Sequence, residues 1–306
     1  MQTILGAGGQ IAEELARDLY RTFPHDIRLV SRNPRRIHET DELVAADLTD
    51  PEATSAAVAG SEIAYLTVGL PIDSALWEQR FPVMMANAIA ACREHDCKLV
   101  FFDNTYMYPR TSTTQTEGTA FEPVGRKATV RARIATMLLE EMEAGTIEAV
   151  ICRAPEFYGP GKTQSLTNSL VFDRIKEGKR PIVPLDAHTL RTLIWTPDAS
   201  RGMALVGNTP DAYGTTWHLP VDPDRLSYAD MVEVASQVEG RRIRYLTLPR
   251  WAFRLGGLAN PAVKEAEELL PRYREDNVFD SAKFAARFPE FEVTTYREGI
   301  TEILTG

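Results

Sequence analysis

Cysteine is scarce in this chain: Cys92, Cys97 and Cys152 are the three in 306 residues. They are too few and too unpatterned for a disulfide framework. Cys92 and Cys97 flank His95, but no further run of ligand-type residues follows, so they read as reduced thiols at a helix end and no metal is expected. Positive charge is also short, with 34 lysines and arginines against 43 acidic residues and a net charge of −9. Nucleic-acid binding needs a basic footprint, and this balance argues against it. The arginine-rich patches at Arg32–Arg36 and Arg241–Arg244 are short, as solvated faces or sites for a small anion would be. No stretch approaches the roughly 18 apolar residues of a membrane span, and no membrane partner is expected. Met1 leads into "QTILGAGG" with no basic region, apolar signal segment or cleavage site, so the expected compartment is cytoplasmic.

What is present is enough apolar residue, 44 % of the chain, to bury a large core. Short β-rich apolar runs alternate with helical patterns. Strands are expected near 2–5, 27–30, 43–46, 62–68, 98–103 and 147–152, with helices near 10–22, 52–58, 76–95 and 127–144. "KLVFFD" is apolar without alternation, as a parallel strand covered on both faces is. The alternation predicts an α/β fold built on a doubly wound parallel sheet. After residue 155 the rhythm breaks: "YGPGKTQSLT" is turn-rich, 169–177 is helical and "RPIVPL" is extended. "LRTLIWTPDASRGMALVG" returns to strand and helix, "TTWHLP" is a further strand, and a helix is expected near 227–239. These patterns divide the chain into a dinucleotide-binding part, 1–155 and 190–220, and a smaller discontinuous substrate or lid part, 156–189 and 221–306, with a cleft between them.

"ILGAGGQIAEEL" follows the first strand and opens the first helix. Gly6 permits a tight turn, Gly9 lets backbone approach a pyrophosphate, and Ala12 lets helix and sheet pack closely. The helix start offers N–H donors and partial positive charge to phosphates. Gly6, Gly8, Gly9, Gln10 and Ile11 are therefore candidate cofactor contacts. The strict G-x-G-x-x-G pattern fails at Ile11; the spacing Gly6-x-x-Gly9-x-x-Ala12 matches the short-chain dehydrogenase variant instead. The second strand should end in a carboxylate for NAD or an arginine for the additional phosphate of NADP. It ends in Ser31 and Arg32, with Arg35 and Arg36 following, and a guanidinium fork matches a phosphate. NADP is thus expected over NAD, the alternative being a basic surface turn. Asp47, with Leu48, follows the third strand as an acceptor for the adenine amino group. Val68 and Gly69 end the fourth, where a small residue lets a cofactor lie close.

Together the glycine loop, "SRNP", "AADLTDPEA", "NAIAACREHDCKLVFFDNTYMYP", "GRKATVRARIATMLLEE", "CRAPEFYGPG" and "IWTPDASRGMALV" resemble the extended short-chain dehydrogenase/reductase family, the NAD-dependent epimerase/dehydratase group. The resemblance implies a Rossmann core and a substrate domain. It also implies a Ser or Thr ending the fifth strand and a Tyr-x-x-x-Lys pair opening the next long helix. The tyrosine would pass a proton to or from the substrate oxygen, and the lysine would hold the nicotinamide ribose and lower the tyrosine pKa. Lys127 matches the lysine. Pro123 stands at the tyrosine position and Asn104 at the Ser/Thr position, so two of the three groups are replaced. Ala154 and Pro155 would lie near the nicotinamide face.

A lost general acid removes roughly 10²–10⁴-fold of rate, which weakens redox chemistry without excluding it. Asn104, at the carboxyl end of a buried strand, offers an amide to a developing oxyanion. Tyr106 and Tyr108 leave the same strand end, either as substitute donors or as packing residues. Lys127, Asn104 and Tyr106 are the candidate catalytic residues. Lys127 at a helix start opposes the helix dipole, which points to a ligand role. Glu156 stands where nucleotide-sugar members often carry an asparagine against the diphosphate, and a carboxylate there would repel it. Arg191, Trp195 and Trp251 are further cleft or core candidates. The expected function is an NADP(H)-dependent oxidoreductase or epimerase-like enzyme acting on a small carbonyl or hydroxyl substrate. The alternative is a non-enzymatic redox sensor, like the regulator branch that also lacks the tyrosine. The resemblance further implies a homodimer paired through the helices at 76–95 and 127–144.

Overall fold

A computed structural model describes residues 1–23, 26–161 and 163–306; Lys162, inside the expected turn-rich stretch, lies outside the described residues. The first elements alternate except where β3 follows β2 directly: β1 (Gln2–Leu5), α1 (Gln10–Thr22), β2 (Ile27–Ser31), β3 (Glu42–Ala45), α2 (Pro51–Val58) and β4 (Ile63–Leu66). They continue with α3 (Ser74–Glu94), β5 (Lys98–Asp103), α4 (Arg126–Glu143) and β6 (Ala149–Arg153). Then follow β7 (Glu156–Tyr158), a π-helical turn at Asn168–Phe172, α5 (Asp173–Lys176), β8 (Ile182–Pro184), β9 (Leu190–Arg191), β10 (Leu193–Trp195) and α6 (Thr196–Gly207). The chain ends with β11 (Thr216–His218), β12 (Leu226–Ser227), α7 (Tyr228–Val238), β13 (Leu246–Leu248), α8 (Arg250–Ala259), α9 (Pro261–Ala266), α10 (Ala282–Arg287) and α11 (Tyr296–Thr305).

Two compact units result. The first comprises Met1–Met107, Phe121–Ala154 and Ala199–Leu219; the second comprises Tyr108–Ala120, Pro155–Asp198 and Pro220–Gly306. Residues 108–120 and 190–198, counted with the dinucleotide part in the sequence, fall in the second unit. Their pairing explains it: β9 pairs with β12, β10 pairs with β7, and Gln115 bridges to Phe279.

The first unit holds a seven-stranded sheet in the order β11-β6-β5-β4-β1-β2-β3, with every neighbouring pair parallel. The doubly wound sheet expected from the alternation is thus present. Strands β1, β4 and β6 are buried at every position, which is why their sequences run apolar without alternation. The polar exceptions are satisfied inside: Tyr65 Oη donates to Gln2 Oε1 at 2.9 Å, and Thr3 Oγ1 and Ser61 Oγ share a bond of 2.6 Å. Leu5, Leu66, Met85, Leu99, Phe101 and Ile134 centre the core of this unit. Helix α2 starts at Pro51 behind the Asp50 cap, whose carboxylate accepts from the N–H groups of Glu52 and Ala53. The second unit has its own core around Tyr158, Phe172, Trp195, Tyr296 and Ile300. Among the described residues no helix is long and apolar enough to cross a membrane.

One position anchors the geometry of the first turn. Gly6 has φ +102°, and a Cβ there would stand 2.8 Å from the backbone of Val68 at the end of β4. Both the backbone angle and the close approach demand glycine. Gly6→Ala should therefore lower stability by about 1–3 kcal/mol, read as a fall in the urea midpoint. An unchanged midpoint would mean that the turn relaxes freely.

Candidate functional site

The loop after β1 is pinned from behind and bare in front. The N–H groups of Gly6 and Ala7 both donate to the Val30 carbonyl at 2.9 Å, tying the loop to β2. Gly9 then caps α1 with φ −109° and ψ 161°, an extended geometry open to any residue, and no side chain caps the helix. Around Gly8 and Gly9 there is nothing within 4 Å of where a Cβ would sit, and both are exposed. Neither packing nor backbone geometry requires glycine at these two positions. What glycine provides is an unshielded helix start, whose N–H groups and dipole suit an anion. Gln10 and Ile11 form the first turn, and the Ile11 carbonyl accepts from Ser200 Oγ at 3.0 Å, bracing α1 against α6. This donor set fits a pyrophosphate.

Ser31 ends β2 half-buried, and Arg32 follows it fully exposed, with no hydrogen bond or ion pair among the described residues. Asp47 lies close enough for Arg32 to act on it. The N–H and then the hydroxyl of Thr49, at 3.0 and 2.8 Å, hold its carboxyl below the usual carboxylate range, aided by Arg80 and Arg32. It is therefore an acceptor at neutral pH. Leu48 is buried, and its carbonyl accepts from Asn87 Nδ2 at 2.9 Å, so its side chain packs and offers no polar contact. Val68 meets Gly6, and Gly69 beyond it is exposed.

The presumed catalytic end is arranged differently from the expectation. Lys127 is neither solvated nor open: it is 1 % exposed, and its Nζ donates to Ser74 Oγ at 2.7 Å. Burial beside the start of α3 thus resolves its awkward place at a helix N-terminus. Asn104 Oδ1 accepts from the Tyr106 N–H at 3.0 Å, an Asx turn that leaves the Nδ2 donors without a partner among the described residues. The Tyr106 ring stacks on Trp77 with centroids 6.2 Å apart. Tyr108 is buried, and its hydroxyl donates to the Thr116 carbonyl at 3.1 Å, which holds it as a packing residue of the second unit. Pro123 is exposed and precedes α4, which begins only after Gly125 at φ +99°. Ala154 is buried, donating its N–H to the Asp103 carbonyl at 3.0 Å, and Pro155 is buried in the second unit.

Two buried ionic clusters have no counterpart among the sequence expectations. Asp103 closes β5 and receives Arg131 at 2.5 Å and Arg153 at 3.1 Å, all three side chains being inaccessible or nearly so. Arg131 stands one helical turn beyond Lys127 on the same face of α4, over the rings of Phe81 and Phe101. The signal was the charge that ends "KLVFFD", together with the four-residue spacing in "KATVR". In the second unit Glu156 receives Arg191 at 3.3 Å, Tyr273 Oη at 2.7 Å and Thr167 Oγ1 at 3.1 Å. Burial tends to lower the Arg191 pKa, but the facing Glu156 carboxylate together with Tyr228 and Tyr273 outweighs it and the net shift is upward. Burial, and then Glu156, push the Tyr273 phenol well above its ordinary value, so it serves as a donor. Trp195 is core, 5.1 Å from Tyr158, whereas Trp251 is 64 % exposed and belongs to no core.

The fold has parallels in known proteins. A model of the NAD dependent epimerase/dehydratase family matches residues 3–219. The chain belongs to the NAD dependent epimerase/dehydratase family. The uncharacterized protein y4nL of Sinorhizobium fredii is 28 % identical to this chain over 206 residues. That match covers 64 % of this chain and 57 % of the relative, so the chain spans little more than half of the curated protein's length. The UDP-glucuronic acid 4-epimerase of Bacillus cereus, solved with NAD, has a TM-score of 0.81 at 13 % identity, covering 100 % of this chain and 98 % of its own. The UDP-glucose 4-epimerase of Thermus thermophilus, also solved with NAD, has a TM-score of 0.77 at 15 % identity, with the same coverage of 100 % and 98 %. At such identities the likeness of this family member to both enzymes is one of fold.

The Asp103 cluster carries a direct test. Asp103→Asn leaves two buried guanidiniums facing a neutral amide, which should cost about 3–5 kcal/mol of stability. A urea midpoint within about 1 kcal/mol of the parent would show that water reaches those charges.

Proposed function

We propose that this chain is an NADP(H)-dependent oxidoreductase or epimerase-like enzyme that acts on a small carbonyl or hydroxyl substrate in the cytoplasm. The bare, uncapped start of α1 carries the proposal, because Gly8 and Gly9 serve no internal purpose there. The pyrophosphate would lie on the N–H groups of Gly9, Gln10 and Ile11. Arg32 would take the additional phosphate through its guanidinium fork, and Asp47 would accept from the adenine amino group. Bound in this way, the nicotinamide would give or accept hydride.

The chain's own groups then supply orientation and proton handling. Asn104 Nδ2 is the donor available to a developing oxyanion at the end of β5, and one such donor is worth about 10²–10³-fold in rate. Lys127 Nζ is held by its donation to Ser74 Oγ. Tyr106, anchored by its stack on Trp77, presents its phenol from the same turn. The nucleotide-sugar diphosphates bound by other family members are disfavoured as substrates, since Glu156 already neutralises Arg191. Small and apolar residues on α3 and α4, among them Ala86, Ile89, Ala90 and Met137, line a groove that supports pairing of two copies through these helices.

A second reading, a redox sensor, draws support from Lys127 being engaged with Ser74 and Pro123 lying outside α4. Calorimetry separates the two. A sensor must bind NADP+ and NADPH with different affinity, because equal binding shifts no equilibrium. An oxidoreductase must consume NADPH with some member of a carbonyl panel, whereas an epimerase must interconvert its substrate with no net consumption.

The cofactor assignment predicts that Gly9→Val leaves the thermal midpoint unchanged while weakening NADPH binding at least about tenfold, by covering the helix start. Arg32→Ala should cut the preference for NADPH over NADH by about 10–100-fold, the worth of a charge-assisted bond. Equal affinity of the parent protein for both cofactors would remove the role of Arg32. For the second unit, Glu156→Gln should lower the thermal midpoint by leaving Arg191 uncompensated. Inorganic pyrophosphate should then raise the midpoint of the variant by more than that of the parent, since the helix start would bind it in both. Equal responses would mean that the guanidinium is closed to anions.

A further inference from the structure

Helix α8 buries none of its residues, and three of its four large apolar side chains are exposed. Trp251, Leu255 and Leu258 are 64 %, 59 % and 85 % exposed. At spacings of four and three residues they form one narrow stripe along the helix. The opposite face is the one that packs. A Cβ at Gly257 would meet Lys264 of α9 at 3.2 Å, and one at Gly256 would meet Val263 at 3.5 Å, so the glycines let α9 lie close. The stripe therefore points away from its only local neighbour. Leu246, on the strand that leads into α8, is 43 % exposed as well.

The surrounding charge says what the stripe suits. From Gly240 to Lys264 the chain carries Arg241, Arg242, Arg244, Arg250, Arg254 and Lys264 and no acidic residue, in a protein of net charge −9. Glu267 answers Arg254 at 2.8 Å and Arg250 at 3.6 Å, one carboxylate for two guanidiniums, and Glu239 answers Arg241 at 3.1 Å. Arg242 and Arg244 are exposed and have no ion pair among the described residues. A basic rim around a tryptophan-led apolar stripe is the pattern of a helix that lies in the plane of a lipid interface. The charge elsewhere on the molecule is screened beyond about 8–10 Å, so the local excess decides the contact. A two-fold pairing of this face with a second copy would set the same arginines against one another, which disfavours it.

We propose that α8 and the preceding arginine segment form a docking surface for an anionic membrane. The ring of Trp251 and the side chains of Leu255 and Leu258 enter the headgroup boundary, and Arg242 and Arg244 rest on lipid phosphates. No spanning segment is needed for this mode, so it is compatible with the absence of one among the described helices. It is independent of the cofactor and substrate assignments.

The test uses the full chain with vesicles of phosphatidylcholine alone and of phosphatidylcholine mixed with phosphatidylglycerol. Trp77, Trp195 and Trp217 are buried, so a blue shift of emission on vesicle addition reports Trp251. The expected result is sedimentation with the anionic vesicles only, with a blue shift that high salt reverses. Leu258→Glu should abolish binding without moving the thermal midpoint, and the Arg242→Ser, Arg244→Ser pair should weaken it about 10–30-fold. Absence of binding to anionic vesicles overturns the proposal. So does equal binding to both vesicle types, or self-association in solution that Leu258→Glu disrupts while no vesicle is bound.

Discussion

An α-helix begins with N–H groups that have no partner inside it, and a protein normally meets them with a side-chain cap worth about 1 kcal/mol. Helix α1 forgoes that cap. Gly9 stands at the cap position with no side chain to offer, and Gly8 before it leaves the approach clear. By contrast α2, α7 and α11 are capped by Asp50, Ser227 and Thr295. Helices α4, α5, α8 and α10 also begin without a side-chain cap, so what marks the start of α1 is its pair of exposed glycines directly after β1. That place is also the one where the sheet order turns back, with β1 between β4 on one side and β2 on the other. Open parallel sheets bind ligands outside the carboxyl ends of their strands at such a point. Gly6 makes the arrangement possible, because only a residue without Cβ passes Val68 there.

The other end of the expected site follows the opposite logic. There the buried cations are engaged inside the fold. Arg131 and Arg153 converge on Asp103, and Lys127 donates to Ser74. Burying two guanidiniums around one carboxylate is rarely a net gain in stability, but removing one partner is costly, so such a cluster holds the ends of β5 and β6 and the face of α4 in register. The turn after β5 inherits that rigidity. Asn104 and Tyr106 leave it from a backbone fixed by the Asx turn and by the Ala154 bond to Asp103. A proton donor replaced at Pro123 can be compensated only from a position held this firmly, which makes the Asn104 turn the natural place for it within the proposed function.

Most of the first unit was legible because its signals are local. Apolar runs without alternation marked β1, β4, β5 and β6, and the glycine spacing marked the start of α1. Helix limits at 10–22 and 126–143 agree with the periodicity to within a residue. What was not legible depends on partners distant in sequence. Nothing near Lys127 reveals Ser74, and nothing near Glu156 reveals Tyr273. Arg131 looked like an ordinary helix face until the fold brought Asp103 to it. The two segments at 108–120 and 190–198 went to the other unit because short strands take their partners from far along the chain. Trp251 was read as core or cleft from its chemistry alone, and exposure is a property that composition does not carry.

Charge placement separates the two units more clearly than their folds do. In the first, Arg32 is exposed and has no hydrogen bond or ion pair among the described residues. In the second, Arg191 already faces Glu156, with Tyr273 and Thr167 completing the carboxylate's bonds. A buried guanidinium must have a counter-ion, and it comes from a ligand or from the chain. Here the chain supplies it. A substrate bearing a diphosphate would have to displace Glu156 from three donors and then lie beside the freed carboxylate, meeting repulsion where it sought attraction. A carbonyl or hydroxyl substrate meets no such opposition, because its oxygen needs a single directed donor. In the proposed function the phosphate chemistry belongs to the cofactor, and the buried guanidinium of the second unit, Arg191, is already matched by Glu156.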